Sequence, residues 1–127
     1  MPNLQLDSCW IENDGLYAYA SNYTSGTVSS YAIGGDGSLR LLAGVAGVAD
    51  RPDNTQGATP VDVRITPGGR FLYAVLPGSG RVAGWLINGD GSLTKVGEFG
   101  GLPRTVDGDA APYPFGPGGS PAGIEAL

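Results

Sequence analysis

Asp62 and Arg64 stand two residues apart in the segment TPVDVRI. In an extended strand their side chains share one face, while Val61, Val63 and Ile65 take the other. An arginine fork holds a carboxylate or phosphate through two parallel hydrogen bonds. A carboxylate beside it can act as general base. Sliding the chain on itself puts two further segments in the same place. DSCWI brings Ser8 and Trp10 to the positions of Asp62 and Arg64, and SPAGIEAL brings Gly123 and Glu125. Asp62 and Glu125 are therefore candidate catalytic residues, and Arg64, Trp10 and Ser8 candidate substrate-binding residues, for chemistry on an anion. A plainer reading stands beside this one. Asp62 and Arg64 neutralise each other, Trp10 packs, and Cys9, alternating inward, serves as a small core residue.

Several other chemistries are excluded. The 127 residues contain no histidine and one cysteine, so neither a Ser–His–Asp triad nor a His/Cys zinc cluster can form. A phosphate-binding G-x-x-x-x-G-K-[ST] loop is absent, and GSGRVAG does not match the dinucleotide fingerprint. The hexapeptides GGDGSL (34–39) and NGDGSL (88–93) resemble metal loops only superficially. They lack the alternating acidic series of a calcium loop, and Asp-Gly between two strands is a hairpin signal. No metal or cofactor is expected. Asn22-Tyr23-Thr24 matches the N-glycosylation pattern, which short sequences often do by chance.

The elements that would position the candidate residues follow from the hexapeptides. They are 54 residues apart, and at that offset residues 8–39 align with residues 62–93 without a gap. Tyr19 meets Tyr73, Gly26 meets Gly80, Val28 meets Val82, and Tyr17 and Tyr31 meet Phe71 and Trp85. A fixed period of this kind marks a repeat architecture. Each repeat divides into four short runs bounded by Gly, Asp, Asn or Pro. The first holds DSCWI, LYAYAS, TVSSYAI and LRLLAG, the second PVDVRI, RFLYAVL, RVAGWLI and LTKVGEF. These are predicted strands of an antiparallel meander. In RFLYAVL both faces are apolar, so the sheet is expected to lie between neighbours, as a propeller blade does. The expected fold is all-β: β-propeller blades in an incomplete ring, with two four-stranded antiparallel blades (7–46 and 60–100) and one extra innermost strand (120–127).

With that pattern, CWIENDGLYAYASNYTSGTVSSYAI and TPVDVRITPGGRFLYAVLPGSGRVAGWLINGDGSL resemble the C-terminal blades of the lactonase-type seven-bladed β-propeller family. That family includes phosphogluconolactonase-like and carboxymuconate cyclase-like members. The sequence departs from the family pattern in its length, in the long loop Arg104–Gly119 and in having no histidine. The resemblance implies lactone hydrolysis or lactonising chemistry on a sugar-acid or carboxymuconate-type substrate in the complete ring. An isolated monomer is not expected to be active. The alternative is a non-catalytic propeller scaffold or self-assembling interaction module.

Composition bounds the partners. The net charge of −5 and only seven Lys and Arg give no basic stripe, so neither nucleic acid nor an anionic membrane is an expected partner. The opening MPNLQLDSCW lacks the basic and apolar regions of a signal peptide, and no run approaches the roughly 20 apolar residues of a spanning helix. The chain is expected to be soluble and, by default, cytoplasmic. Two blades leave two apolar faces uncovered. The expected partners are copies of the chain itself or missing blades of a longer chain, with a small-molecule lactone as ligand.

Overall fold

The computed structural model describes residues 2–49, 60–77, 79–102, 105–106, 109–110 and 124. Two four-stranded sheets carry the fold, each in plain meander order. The first contains β1 (Ser8–Asn13), β2 (Tyr17–Asn22), β3 (Thr27–Ile33) and β4 (Leu39–Val48). The second contains β5 (Val63–Ile65), β6 (Phe71–Leu76), β7 (Arg81–Ile87) and β8 (Leu93–Phe99). Every pairing within them is antiparallel. A short pair, β9 (Thr105–Val106) with β10 (Asp109–Ala110), follows. No helix occurs among the described residues, so none is long and apolar enough to cross a membrane. The all-β, two-blade expectation holds. The strand expected at 120–127 lies outside the described residues apart from Ile124.

Five strands differ from the sequence pattern, β1, β2 and β6 by one or two residues at their ends and β4 and β5 by more. β4 continues past Gly44 to Val48, with register shifts opposite Val28–Tyr31. These irregularities bend the strand and let Gly47 approach the second sheet. There a Cβ would lie 3.0 Å from the Trp85 indole, so only glycine fits without displacement. β5 begins at Val63, three residues later than PVDVRI implies, and Pro60 itself has no N–H for the ladder. Val61 nonetheless donates to Val75 O (3.1 Å), and Val75 donates to Asp62 O (3.1 Å), extending the strand's course.

The hexapeptides are hairpins of the same geometry. Gly37 and Gly91 both have φ +83°, and in each turn the aspartate accepts the N–H of the following serine at 3.0 Å. Glycine is required there because a side chain is strained at that φ. The first joins β3 to β4, the second β7 to β8. Both aspartates are held below the ordinary carboxylate value, first by the serine side chain and then by its backbone N–H.

The two blades pack face to face. Tyr19 and Val28 of the first meet Leu72, Ala74, Leu76 and Trp85 of the second, all at 2% exposure or less. Burial of Trp85 alone withdraws roughly 200 Å² at about 25 cal/mol per Å², roughly 5 kcal/mol. Two tyrosines lock the register between blades. The Tyr17 hydroxyl donates to Gly89 O (2.8 Å) and that of Tyr19 to Gly91 O (3.1 Å), both in the second hairpin. The other face of the first blade carries its own apolar group, Ala18, Ala20 and Tyr31 with Ile33 and Leu41.

Candidate functional site

Asp62 and Arg64 enter from the start of the second blade's first strand. Asp62 is 6% exposed, and its oxygens are taken separately. Oδ1 accepts from Arg64 Nη1 (2.8 Å) and Oδ2 from the backbone N–H of Ile124 (3.1 Å). Buried carboxylates need such partners, and here both are charge-assisted bonds. Arg64 Nη1 also donates to Val63 O (2.9 Å) and lies 3.7 Å from Glu12 Oε2 across the blade boundary. One end of the guanidinium is thus engaged. Its Nε and Nη2 donors have no protein partner among the described residues. The Arg64 side chain is 37% exposed and that of Glu12 30%, so both reach solvent.

Glu12 is the member that sequence reasoning missed. It pairs with Tyr19, two positions along the face that carries Trp10, which pairs with Ser21. Strand alternation carried two residues past Trp10 would have found it. It also lines a cleft of about 560 Å³ between the blades, with Asn13, Asp14, Tyr17, Thr66 and Asn88 among its walls. Asp14 in this wall is a turn residue, accepting the N–H groups of Leu16 (2.9 Å) and Tyr17 (2.7 Å).

Ser8 and Trp10 do not share a face as alternation had them. Ser8 pairs with Asn22 and Trp10 with Ser21, leaving Cys9 as an extra residue in the strand. A bulge of this kind flips the alternation beyond it. Ser8 instead joins a polar cluster. Its Oγ donates to Asn22 Oδ1 (2.6 Å), while Asn3 Nδ2 donates to Ser8 Oγ, Asn22 Oδ1 and Ser29 Oγ at 3.1–3.2 Å. Asn22 is fully buried and also donates to Thr27 and Ser29, so the glycosylation pattern it begins is closed to modification in the folded chain. Trp10 is 39% exposed and lines a second cleft with Ser8, Cys9, Ile11, Tyr31 and Leu39. Cys9 is exposed, contrary to the inward position expected of it. Its thiol is pushed up by burial of the sulfur and by the Asp7 charge. Glu125 lies outside the described residues, but its neighbour Ile124 touches Asp62. The structure therefore joins Asp62 and Arg64 with Glu12 and leaves Ser8 in a separate network.

The family model for lactonase, 7-bladed beta-propeller, matches residues 7–107. The chain belongs to this family. Solved structures share the fold of this lactonase-family chain. A protein assigned as a 6-phosphogluconolactonase from Bacteroides uniformis superposes with TM-score 0.62 at 23% identity, over 82% of this chain and 32% of its own. One from Bacteroides fragilis gives 0.60 at 26% identity, over 81% and 32%. The periplasmic gluconolactonase of Pseudomonas aeruginosa gives 0.59 at 23%, over 74% and 26%. The chain spans about a third or less of the length of these proteins. No curated protein matches the sequence.

Proposed function

We propose that these two blades carry part of a lactone-handling channel, with Arg64 as the anchor for an anionic substituent of the substrate. The observation that carries this reading is the half-used guanidinium. Nη1 is fixed by Asp62 and Val63 O, and among the described residues nothing takes the Nε and Nη2 side, which can receive a carboxylate or phosphate bidentately. Asp62, enclosed and bonded through both oxygens, acts as the positioning residue for Arg64. The carboxylate on the open side is Glu12, with Glu125, next to Ile124 in the sequence, as the further candidate.

In hydrolysis such a carboxylate takes a proton from water, and the hydroxide adds to the lactone carbonyl carbon. The tetrahedral intermediate then collapses with cleavage of the ring C–O bond, and the proton passes to the departing ring oxygen. Water and lactone become one hydroxy acid. The substrate class proposed is a sugar-acid or carboxymuconate-type lactone, in keeping with family membership and with the phosphogluconolactone and gluconolactone named for the solved relatives.

The test is lactone hydrolysis followed by pH-stat on phosphorylated, carboxylated and neutral lactones. Arg64→Ala is expected to raise KM about tenfold or more for the anionic lactones and to leave the neutral one nearly unchanged. Glu12→Gln is expected to lower kcat about a hundredfold. Turnover unaffected by Arg64→Ala, Asp62→Ala, Glu12→Gln and Glu125→Ala would place the chemistry elsewhere. The second reading, a non-catalytic scaffold, draws on the Asp62–Arg64 pair at 2.8 Å, which neutralises both charges without a ligand. It predicts no turnover of any lactone, with these substitutions changing stability alone.

A further inference from the structure

Ser30 is 1% exposed, and its hydroxyl has no hydrogen-bond partner among the described residues. Its neighbour Ser29 shows the contrast, with Oγ donating to Gly44 O (2.6 Å) and accepting from Asn3 and Asn22. The groups beside Ser30 are spent elsewhere or are apolar. Tyr19, its partner in β2, sends its hydroxyl to Gly91 O, and its partner in β4 is Ala43. A buried hydroxyl left unpaired is costly, and folded chains keep few of them. The repeat does not demand a serine here either, since the second blade has Gly84 at the equivalent position.

Ser30 forms the inner end of a cleft of about 350 Å³ between β4 and the second hairpin, large enough for a small molecule. Both blades bound it, so it does not depend on what adjoins the chain. It lies on the far side of that hairpin from the cleft lined by Glu12. The strand opens here for a local reason. Register shifts flank the Ser30–Ala43 pair on both sides, whereas β7 and β8 show one shift, beside Trp85. The shift between Val28 and Ser30 has no counterpart in the second blade. It leaves residues 44–46 opposite no partner in β3, and a bulge of this kind bends the strand. The walls are apolar, with Leu42, Ala43 and Val45 on one side and Leu93 on the other. At the mouth stands Asp90, the only charged side chain lining the cleft among the described residues. Its Oδ1 accepts from the Ser92 N–H (3.0 Å) and Oγ (2.6 Å), and Oδ2 has no partner among the described residues. Ser92 Oγ also accepts from Asn88, so it offers nothing further.

We propose that this cleft binds a small amphiphilic cation, with an apolar body between the β4 wall and Leu93, a hydroxyl tip on Ser30 and an ammonium group beside Asp90. At about 30 Å³ per non-hydrogen atom, the volume holds roughly a dozen such atoms. The serine hydroxyl both donates and accepts, which suits a hydroxyl tip. Asp90 selects for positive charge and against the anions that Arg64 would hold, so the inference is independent of lactone chemistry.

Tyramine is the probe, compared with phenethylamine, which lacks its hydroxyl, and para-ethylphenol, which lacks its ammonium. The readout is an amide chemical-shift titration of the isotope-labelled chain up to about 10 mM ligand. Tyramine is expected to bind with a dissociation constant on the order of 1 mM, with shifts centred on Ser30, Ala43 and Leu93. Phenethylamine is expected to bind about fivefold more weakly and para-ethylphenol about threefold. Ser30→Ala removes a hydroxyl that has no partner, so it should melt no lower than the wild type and bind tyramine no better than phenethylamine. Asp90→Asn keeps an oxygen for the Ser92 N–H and should lose the preference for tyramine over para-ethylphenol. The absence of shifts at these residues by about 10 mM tyramine overturns the proposal. Equal binding of the three probes, or an unchanged tyramine affinity in Ser30→Ala, overturns it too. So does a Ser30→Ala chain that melts well below the wild type, because the hydroxyl then serves a buried water of the fold and not a ligand.

Discussion

Tyr17 and Tyr19 present the same chemistry in two settings, one hydroxyl to one glycine carbonyl, and removing each hydroxyl should have unequal consequences. Tyr19 is fully buried, its bond to Gly91 O is enclosed, and Gly91 is buried too. Tyr19→Phe leaves that carbonyl without a donor and without water, at a cost of about 1–3 kcal/mol. The Tyr17 bond is exposed, and water replaces the lost hydroxyl, so Tyr17→Phe should cost less than about 0.5 kcal/mol. With an m-value of about 2 kcal/mol per M for urea, the midpoint falls by roughly 0.5–1.5 M for Tyr19→Phe and by less than about 0.25 M for Tyr17→Phe. Bond length ranks the pair the other way, 2.8 Å for Tyr17 against 3.1 Å for Tyr19, so the experiment separates burial from geometry. Equal losses, or a larger one for Tyr17→Phe, would refute the reasoning. An alkaline titration adds a second readout. Burial, then the charge of Asp14, pushes the Tyr19 phenol well above its ordinary value of 10.0. The unfolded chain releases this proton near pH 10 while the folded chain keeps it, so stability is full below that pH and falls as pH rises above it. Tyr19→Phe should flatten this part of the alkaline slope.

Two further predictions concern the hairpins and the core. Gly47→Ala should destabilise by about 1–3 kcal/mol and alter Trp85 fluorescence, because the new methyl meets the indole at 3.0 Å; a thermal melt with emission spectra checks both. Asp36 and Asp90 have depressed pKa values, so their contribution is present above the unfolded value of 3.8 and is lost as pH falls through the lower folded values. The difference in urea midpoint between pH 7 and pH 3 should therefore shrink in Asp36→Ala/Asp90→Ala, and an unchanged difference would count against it.

The architecture was legible in the residues because it rests on local rules repeated twice. Asp-Gly turns need φ > 0, alternating apolar strands need a cover on each face, and the offset between GGDGSL and NGDGSL gives the spacing of one blade. β3, β7 and β8 have the boundaries that the sequence pattern marks. The candidate site was legible only where strand geometry is regular. Asp62 and Arg64 meet as their spacing implies, since nothing interrupts the alternation between them. Ser8 and Trp10 part because one extra residue at Cys9 changes the register, and no residue type in DSCWI announces a bulge. Glu12 was passed over because its relation to Arg64 runs between blades, and periodicity within a strand is silent on which strands adjoin.

The sequence by itself determined the strand order, the turns and the membership of a repeat, all of which depend on neighbours within a few positions of each other. Tertiary packing decided the rest. It brought Glu12 to 3.7 Å from Arg64, shut Asp62 away with both oxygens occupied, and set the tyrosines of one blade on the hairpin of the next. These are contacts between residues far apart in the chain, fixed by how two twisted sheets stack. Asp62 is the enclosed carboxylate beside Arg64, and the more open one, Glu12, comes from the other blade.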